Sequence, residues 1–297
     1  MTDAPVPPAE PKPASGTRIR LISGVVAALI AFPPLAFGNG WVVGAVALIA
    51  GAICMYEFVG MALPDDKRTA FPLMLVLGLP VFAAAATSTS QEHLPPWATT
   101  EHGSPLLLSL LLAVVTSAAW FLFSAKTTEG LADRWARFML GLLYVPLLIG
   151  LFPALRELDG GRGWLWVPLF ASWGGDIGGY FAGRAFGKRK MLPLISPKKT
   201  WEGFFGGVGL AVVVLCIFKL AFFPRMTWMD CVILGVLCDL GGVFGDLIES
   251  MLKRTFGVKD SGTIMPGHGG LLDRIDSTLL ALPVGYLYLV FLRPLIG

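Results

Sequence analysis

The stretch WVVGAVALIAGAICMYEFVGMAL, residues 41–63, contains a single charged residue, Glu57. An α-helix of about 20 apolar residues is long enough to cross a hydrocarbon core about 30 Å thick. A charged side chain within such a helix is costly in lipid and must face other helices or a wet cavity. Residues 41–63 are therefore predicted to form a transmembrane helix.

The composition of the whole chain agrees with this interpretation. Of the 297 residues, 55% are hydrophobic and only 14% are charged, which is too apolar for a water-soluble globule of this size. The four cysteines lie in apolar runs without metal-ligand spacing, so we interpret them as small hydrophobic residues.

Similar apolar runs recur along the chain and predict an all-α, polytopic membrane bundle with about nine transmembrane helices. Residues 1–18 lack such a run and are predicted to be a disordered tail. Residues 19–160 form the predicted N-terminal transmembrane region, and residues 161–297 the C-terminal transmembrane domain. The predicted spans are residues 19–37, 41–63, 70–86, 105–124, 136–155, 164–184, 203–223, 228–250 and 275–294.

The positions of lysine and arginine orient this bundle. If the N-terminus is cytoplasmic, 18 of the 23 basic residues fall on the cytoplasmic side. Lys and Arg accumulate in cytoplasmic loops, so we predict an N-in, C-out topology. The loops after the sixth and eighth spans then share the cytoplasmic face. The basic residues on the other side are Arg156, Arg162, Lys219, Arg225 and Arg293.

The first of two polar clusters is GGDIGGYFAGRAFGKRKMLPLISPKKTWEG, residues 174–203. Glycines at 175, 179 and 183 predict the close approach of another helix. Asp176 is either a structural hydrogen-bonding residue or part of a polar site, and the site is favoured. Arg189 and Lys190 are typical of a topogenic or lipid-binding basic patch. The SPKKT segment, residues 196–200, resembles a phosphate-binding turn at a helix start.

The second cluster is GDLIESMLKRTFGVKDSGTIMPGHGGLLDRIDS, residues 245–277. On a helix, one face carries the side chains of Asp246, Glu249, Ser250 and Lys253. The glycines that follow predict a loop over residues 257–270. If the helix ends carrying Asp246 and Asp273 converge, their oxygens suit a hard cation such as Mg²⁺. Alternatively, these carboxylates only form ion pairs with neighbouring basic side chains. The residues alone leave both possibilities open.

The second cluster resembles the signature of the phosphatidate cytidylyltransferases, also called CDP-diacylglycerol synthases. The matching pattern is SxLKRxxxxKDxGxxMPxHGGLxDRID, residues 250–276. The GRxFGK and SPKKTxEG elements, residues 183–188 and 196–203, also resemble this family. Met265 and the pair Gly178-Gly179 depart from the expected residues, and the glycine pair weakens the assignment of Asp176.

The resemblance implies the reaction of CTP with phosphatidate to give CDP-diacylglycerol and pyrophosphate, with Mg²⁺ and in some members K⁺. It implies that residues 161–297 are catalytic, and that Asp246 and Asp273 bind the metal. The implied catalytic residues are Asp246, Asp273, Lys253, Lys259, Arg274 and His268. The implied substrate-binding residues are Ser196, Lys198, Lys199, Glu202, Ser250, Arg254, Asp260, Gly269, Gly270, Asp276, Asp176, Arg184 and Lys188.

Some of these roles have alternatives. The attacking phosphate already carries negative charge near neutral pH, so His268 is favoured as a positioning residue over a general base. Asp260 and Asp276 bind substrate or orient basic side chains. The resemblance also implies a homodimer in a bacterial-type inner membrane, surrounded by membrane lipids, with its active site on the cytoplasmic face. No nucleic-acid partner is expected.

Two other classes of membrane protein use similar residues. Transporters contain intramembrane carboxylates and glycine-broken helices, but their matched repeats are not visible here. A CTP-using lipid kinase needs similar metal and phosphate ligands. Release of pyrophosphate, as opposed to CDP release or solute flux, separates the three.

Overall fold

The protein is described by a computed structural model over residues 15–88 and 104–296, and most of these residues are helical. Two short strands, β1 (Lys190–Leu192) and β2 (Ser196–Thr200), interrupt the helices, and a π-helical turn (Tyr288–Leu292) precedes the last one. The prediction of an all-α, polytopic membrane bundle is confirmed. The helices are α1 (Ser15–Phe37), α2 (Gly40–Ala62), α3 (Lys67–Ala86), α4 (Pro105–Ser124), α5 (Leu131–Tyr144), α6 (Pro146–Ile149), α7 (Leu151–Glu157), α8 (Gly161–Trp164), α9 (Trp166–Phe186), α10 (Trp201–Ala221), α11 (Trp228–Thr255), α12 (Leu272–Leu287) and α13 (Arg293–Ile296).

In the described part of the chain, seven helical segments are long and apolar enough to cross a membrane. Two further predicted spans coincide with helices outside this set. One is α1, whose apolar part is Ile22–Phe37, and the other is α9, which contains Asp176, Arg184 and several glycines. The count of nine and the N-in, C-out orientation stay predictions. The seven segments are Gly40–Ala62, Lys67–Ala86, Pro105–Ser124, Leu131–Glu157, Trp201–Ala221, Trp228–Thr255 and Leu272–Leu295.

Helices α9 and α10 approach so closely that their backbones touch. A Cβ atom added to Gly207 of α10 would lie 2.8 Å from the carbonyl oxygen of Gly175, and one on Gly203 would lie 2.9 Å from that of Gly179. Such distances leave no room for a side chain. The predicted role of the glycine repeat in close helix packing is confirmed.

Helix α11 carries a polar group near each end. Close to its start, Asp230 accepts hydrogen bonds from the Tyr288 hydroxyl at 2.8 Å and from Arg293 Nε at 3.2 Å. Asp246 lies 16 residues further along, which at 1.5 Å per residue is roughly 24 Å. This separation is most of the thickness of a hydrocarbon core, so the two carboxylates lie far apart along the helix.

Two hydrophobic clusters hold the helices together, and each takes residues from both parts of the chain. One packs Val43 and Leu155 against Leu234 and Leu282. The other packs Phe58, Met74 and Leu142 against Leu272 and Leu279. The polar C-terminal segments are therefore supported by the N-terminal helices. The division between residues 160 and 161 stays a prediction.

The structure departs from the sequence prediction between α9 and α10 and at the C-terminal end of α11. The turn between α9 and α10 contains an antiparallel hairpin, in which Lys190 pairs with Thr200 and Leu192 with Ser196. Prolines at 193 and 197 exclude a helix there, and the extended residues pair instead. Helix α11 also continues to Thr255, past the predicted end at 250. The predictions for most of the N-terminal tail, residues 1–14, and for loop residues 89–103 lie outside the described residues.

Candidate functional site

A cavity of about 500 Å³ lies between α9, the hairpin, α10 and α11. Five predicted site residues line it: Asp176, Arg184, Lys198, Lys199 and Asp246. Apolar side chains stand beside these charges, namely Met191, Phe204 and Val243. The cavity therefore combines cationic, anionic and apolar walls at the end of the bundle where both polar clusters meet.

Lys199 connects the two polar clusters. Its Nζ atom lies 2.8 Å from Oδ2 of Asp246 and also donates to the carbonyl oxygen of Val243 at 3.4 Å. The hydroxyl of Ser250, one turn further along α11, donates to the other oxygen of Asp246 at 3.2 Å. Thr200 begins α10 as its N-cap, and its hydroxyl oxygen accepts from the amide of Gly203 at 3.1 Å. The cap fixes the end of the hairpin and so the position of Lys199.

Two further carboxylates lie within electrostatic range of Asp246. Asp176 of α9 and Asp276 of α12 both repel it, and Lys199 partly offsets the charge of Asp176. The Asp276 carboxylate is held by the amide of Ser277 at 2.7 Å. Helices α9, α11 and α12 thus each place an acidic side chain in this region. This concentration of negative charge favours the binding of a cation.

Lys253 forms the centre of a second, more buried group. Its Nζ lies 3.1 Å from Oε1 of Glu249 and 2.6 Å from Oδ1 of Asp273. The Glu249 side chain is fully buried and that of Asp273 is 4% exposed. A buried ammonium between two buried carboxylates is stabilised by charge, and removal of the ammonium leaves both carboxylates uncompensated.

The second oxygen of Asp273 is equally occupied. It accepts from the Ser261 amide, the Ser261 hydroxyl and the Gly270 amide, each at 2.9 Å. Ser261 and Gly270 come from the two ends of the predicted loop, so Asp273 fastens that loop to the start of α12. The loop needs glycine at positions 267 and 269, because the φ angles there are +77° and +87°. A residue with a side chain would be strained in this conformation.

A second cavity, of about 560 Å³, lies in this loop. It gathers the predicted residues Lys259, Asp260, His268, Gly269 and Arg274, with Arg20 of α1 added. Three permanent cations around one space suit a polyanion such as a triphosphate.

Helix α1 also holds this loop from the side. The Nδ1 atom of His268 lies 2.8 Å from the hydroxyl oxygen of Ser23, and Arg20 Nε donates to the carbonyl oxygen of Gly267 at 3.0 Å. The contact with Ser23 agrees with a positioning role for His268.

The family profile that matches this chain is that of the cytidylyltransferase family, over residues 18–292. The chain belongs to the cytidylyltransferase family. The match includes both polar clusters and both cavities, so the geometry described above is that of a cytidylyltransferase.

Individual relatives carry a more specific name. The phosphatidate cytidylyltransferase of Bacillus subtilis (strain 168) is 41% identical over 151 residues, which cover 50% of this chain and 56% of that protein. That of Pseudomonas aeruginosa is 38% identical over 194 residues, 65% of this chain and 69% of that protein. That of Staphylococcus aureus (strain COL) is 32% identical over 271 residues, 90% of this chain and 96% of that protein.

A metal was predicted at Asp246 and Asp273. Within residues 15–88 and 104–296, no three His, Cys, Asp or Glu side chains are grouped closely enough to bind a metal by themselves. Mg²⁺ in nucleotide-dependent enzymes usually takes only one or two carboxylates and completes its shell with water and substrate phosphates. Asp246 fits this chemistry, because it lines the cavity with Asp176 beside it. Asp273 already accepts from Lys253, Ser261 and Gly270.

Other predicted residues have contacts within the protein. Glu202 accepts hydrogen bonds from the amides of Lys188 at 3.0 Å and of Arg189 at 3.1 Å, so it ties the start of the hairpin to α10. Gly270, at the end of the loop, packs against Ser261 and Glu57, and a Cβ there would lie 2.7 Å from Oε2 of Glu57. Ser196 lies on β2, and Arg254 is exposed on the last turn of α11. Their predicted substrate contacts stay predictions.

This cytidylyltransferase also places at the site several residues that were not among the predicted site residues. Ser261 and Glu57 contact the start of α12, and Arg20 lines the second cavity. Asp239 of α11 is buried beside Gly207 of α10. Glu57 and Asp239 had a visible signal, since each is an acidic residue within an apolar run. Ser261 and Arg20 had none.

Proposed function

We propose that this cytidylyltransferase transfers the cytidylyl group of CTP to phosphatidate and releases pyrophosphate. The observation that carries the proposal is the contact between Lys199 and Asp246, which joins the SPKKT segment to α11 at the cavity wall. The contact supports the proposal because a lysine that can bind phosphate lies next to a carboxylate that can bind a metal. The curated relatives are named for the same reaction.

The reaction needs no nucleophile from the protein. A phosphate oxygen of phosphatidate attacks the α-phosphorus of CTP, and the bond from that phosphorus to the bridging oxygen of the β-phosphate breaks. The electron pair leaves with pyrophosphate, and the new bond completes CDP-diacylglycerol. Because the attacking phosphate is already an anion, the site has to hold two polyanions together and stabilise charge on the leaving group.

The side chains of the two cavities suit these tasks. Lys198 and Lys199 bind phosphate in the first cavity, where Phe204 and Val243 offer an apolar surface to an amphiphilic substrate. Lys259 and Arg274 bind phosphate in the second cavity. Lys253 holds Asp273 in place, and Asp273 in turn fastens the loop of residues 257–270 to the start of α12.

Mg²⁺ belongs to this proposal, with Asp246 and Asp273 as its protein ligands. When bound, Mg²⁺ would neutralise phosphate oxygens and polarise the bond that breaks. Asp246 would exchange Lys199 for the metal, and the freed ammonium would turn to a phosphate. Asp273 would have to release Lys253, which makes it the weaker of the two ligands. K⁺ is proposed as a second cation on the resemblance alone.

The placement of the enzyme is also proposed. The distribution of basic residues supports N-in, C-out insertion in a bacterial-type inner membrane, with both cavities on the cytoplasmic side, where CTP is available. A homodimer is proposed from the resemblance.

The activity can be tested on the purified, detergent-solubilised full chain. Pyrophosphate release should require CTP, phosphatidate and Mg²⁺ together, and one CDP-diacylglycerol should form for each pyrophosphate. CDP release with phosphorylation of a lipid would indicate a lipid kinase, and either that result or solute flux in liposomes without lipid product would overturn the proposal.

A further inference from the structure

Glu57 connects the N-terminal helices to the start of α12. It is the only charged residue in the sequence of α2, and the side chain is 3% exposed. Its Oε1 atom accepts from the amide of Leu271 at 2.9 Å, and its Oε2 atom from that of Leu272 at 2.8 Å. The carboxylate therefore binds two successive backbone amides of a helix that lies 214 and 215 residues away in the chain.

These two amides need an external acceptor. The first turn of a helix has N–H groups without intrahelical partners, and the cap residue of α12, Leu271, has no side-chain cap hydrogen bond. A negative charge at this end also interacts favourably with the helix dipole. Glu57, a residue of α2, thus caps the N-terminus of α12.

The same carboxylate also contacts the loop of residues 257–270. The hydroxyl of Ser261 lies 3.5 Å from Oε2 of Glu57 and 2.9 Å from Oδ2 of Asp273, so one serine stands between the two acids. Gly262 also packs on Glu57, where an added Cβ would lie 2.8 Å from the Glu57 Cδ atom. Both ends of the loop close around this one side chain.

We propose that Glu57 is a positioning residue for the cytidylyl transfer. It fixes the turn Gly270–Leu272 and thereby directs Asp273 towards Lys253 and the loop towards the second cavity. The inference rests on the proposed function, since it assumes that this loop binds substrate. A residue from the N-terminal region is then required for the geometry of a site whose motifs all lie in the C-terminal region.

Glu57→Gln is the main test variant. It keeps the volume of the side chain but replaces one acceptor oxygen by an NH₂ donor, which would face a backbone donor. The expected result is a kcat lowered roughly 10- to 100-fold, as for a misplaced active-site group, with a smaller change in KM for CTP. Glu57→Asp, which keeps both acceptors on a shorter side chain, should recover part of the loss.

Hydrogen exchange tests whether the effect of the substitution is confined to the loop, and the split between kcat and KM separates a role in positioning from one in stability alone. In Glu57→Gln, amides of residues 261–274 should exchange about tenfold faster, while those of α3, α4 and α5 stay unchanged. Asp66→Asn is the matched control. In the wild type, Oδ2 of Asp66 lies 3.1 Å from Nη1 of Arg134 in the N-terminal region, and the substitution weakens this ion pair. It should alter neither the exchange of the loop amides nor kcat.

Several outcomes would overturn the proposal: unchanged loop exchange, unchanged kcat despite faster loop exchange, or faster exchange spread evenly over all helices. If Glu57→Gln does not fold, Ser261→Ala cuts the link between the two acids and should give the same local exchange and lower kcat. Wild-type turnover is measured in the same preparation. A wild type without pyrophosphate release refutes the proposed function, and the exchange arm still tests the contact.

Discussion

The Nζ atom of Lys199 lies 2.8 Å from Oδ2 of Asp246, and this ion pair joins two segments that are 47 positions apart in the sequence. The pair lines the wall of a cavity, where the proposed Mg²⁺ would compete for Asp246 and the proposed substrate phosphate for Lys199. In the absence of both, each partner neutralises the other. The ion pair therefore stabilises the fold, and its two partners are suited to bind a cation and an anion.

The lysines of SPKKT are expected to bind phosphate. Replacing Lys198 or Lys199 with Gln should weaken transition-state binding, measured through kcat/KM, by about 1–3 kcal/mol for each lost charge-assisted contact. Membrane insertion should stay normal. Lys219→Gln, at the far end of α10, is the control and should leave kcat/KM unchanged. Wild-type kinetics in a correctly inserted Lys198→Gln, Lys199→Gln double variant would assign this segment to topology alone.

Asp246 and Asp273 should respond differently to neutralisation. Asp246→Asn should lower turnover at least ~10²-fold and change the Mg²⁺ dependence, with little effect on stability, because it removes the proposed metal ligand at the cavity. Asp273→Asn should also lower turnover and, in addition, the melting temperature, since it breaks the contact with Lys253. Mg²⁺ titration and thermal unfolding of both variants make the comparison. Folded variants with wild-type turnover and Mg²⁺ dependence would contradict the shared metal site.

Lys253 compensates two buried carboxylates, so its loss should cost stability. Lys253→Met should destabilise the protein by about 3–5 kcal/mol, the range for a broken buried ion pair. Adding Glu249→Gln removes one uncompensated charge and should restore part of that stability. Denaturant unfolding in a single detergent measures both. A Lys253→Met variant of full stability with reduced turnover would assign Lys253 to substrate alone.

The predicted orientation can be tested by labelling. Cysteines introduced by Pro95→Cys and Asp260→Cys should react with a membrane-impermeant reagent from opposite sides of the membrane. Cys54, Cys231 and Cys238 are buried and Cys216 is partly buried, so background labelling should be low. Reaction of both introduced cysteines from the same side in intact spheroplasts would refute the N-in, C-out topology.

The sequence predicted the helices well because transmembrane length and polarity are local properties of the chain. The glycines of α9 were also predictable, since a repeat of four residues places them on one helix face. The hairpin at 190–200 was not, because strands of three and five residues have no periodicity to detect. Their pairing depends on the positions of α9 and α10.

The composition of the candidate site was predictable, but its pairing was not. The motifs bring lysines and carboxylates together without indicating that Lys199 contacts Asp246 and Lys253 contacts Asp273. The orientation of Asp273 depends on hydrogen bonds from the backbone amides of Ser261 and Gly270. A sequence motif does not show which backbone amides a side chain contacts. Glu57 could be recognised as unusual in α2, yet its partners at Leu271 and Leu272 appear only in the fold.

In the proposed reaction the cytidylyl group, and not the terminal phosphate, moves to the lipid. The direct measurement uses CTP labelled at the α-phosphorus in one reaction and at the γ-phosphorus in another, with purified protein, Mg²⁺ and phosphatidate. The α-label should appear in the lipid product and the γ-label in pyrophosphate, and Asp246→Asn should lose both together. Transfer of the γ-label to lipid, or no lipid product from active, folded protein, would contradict the account.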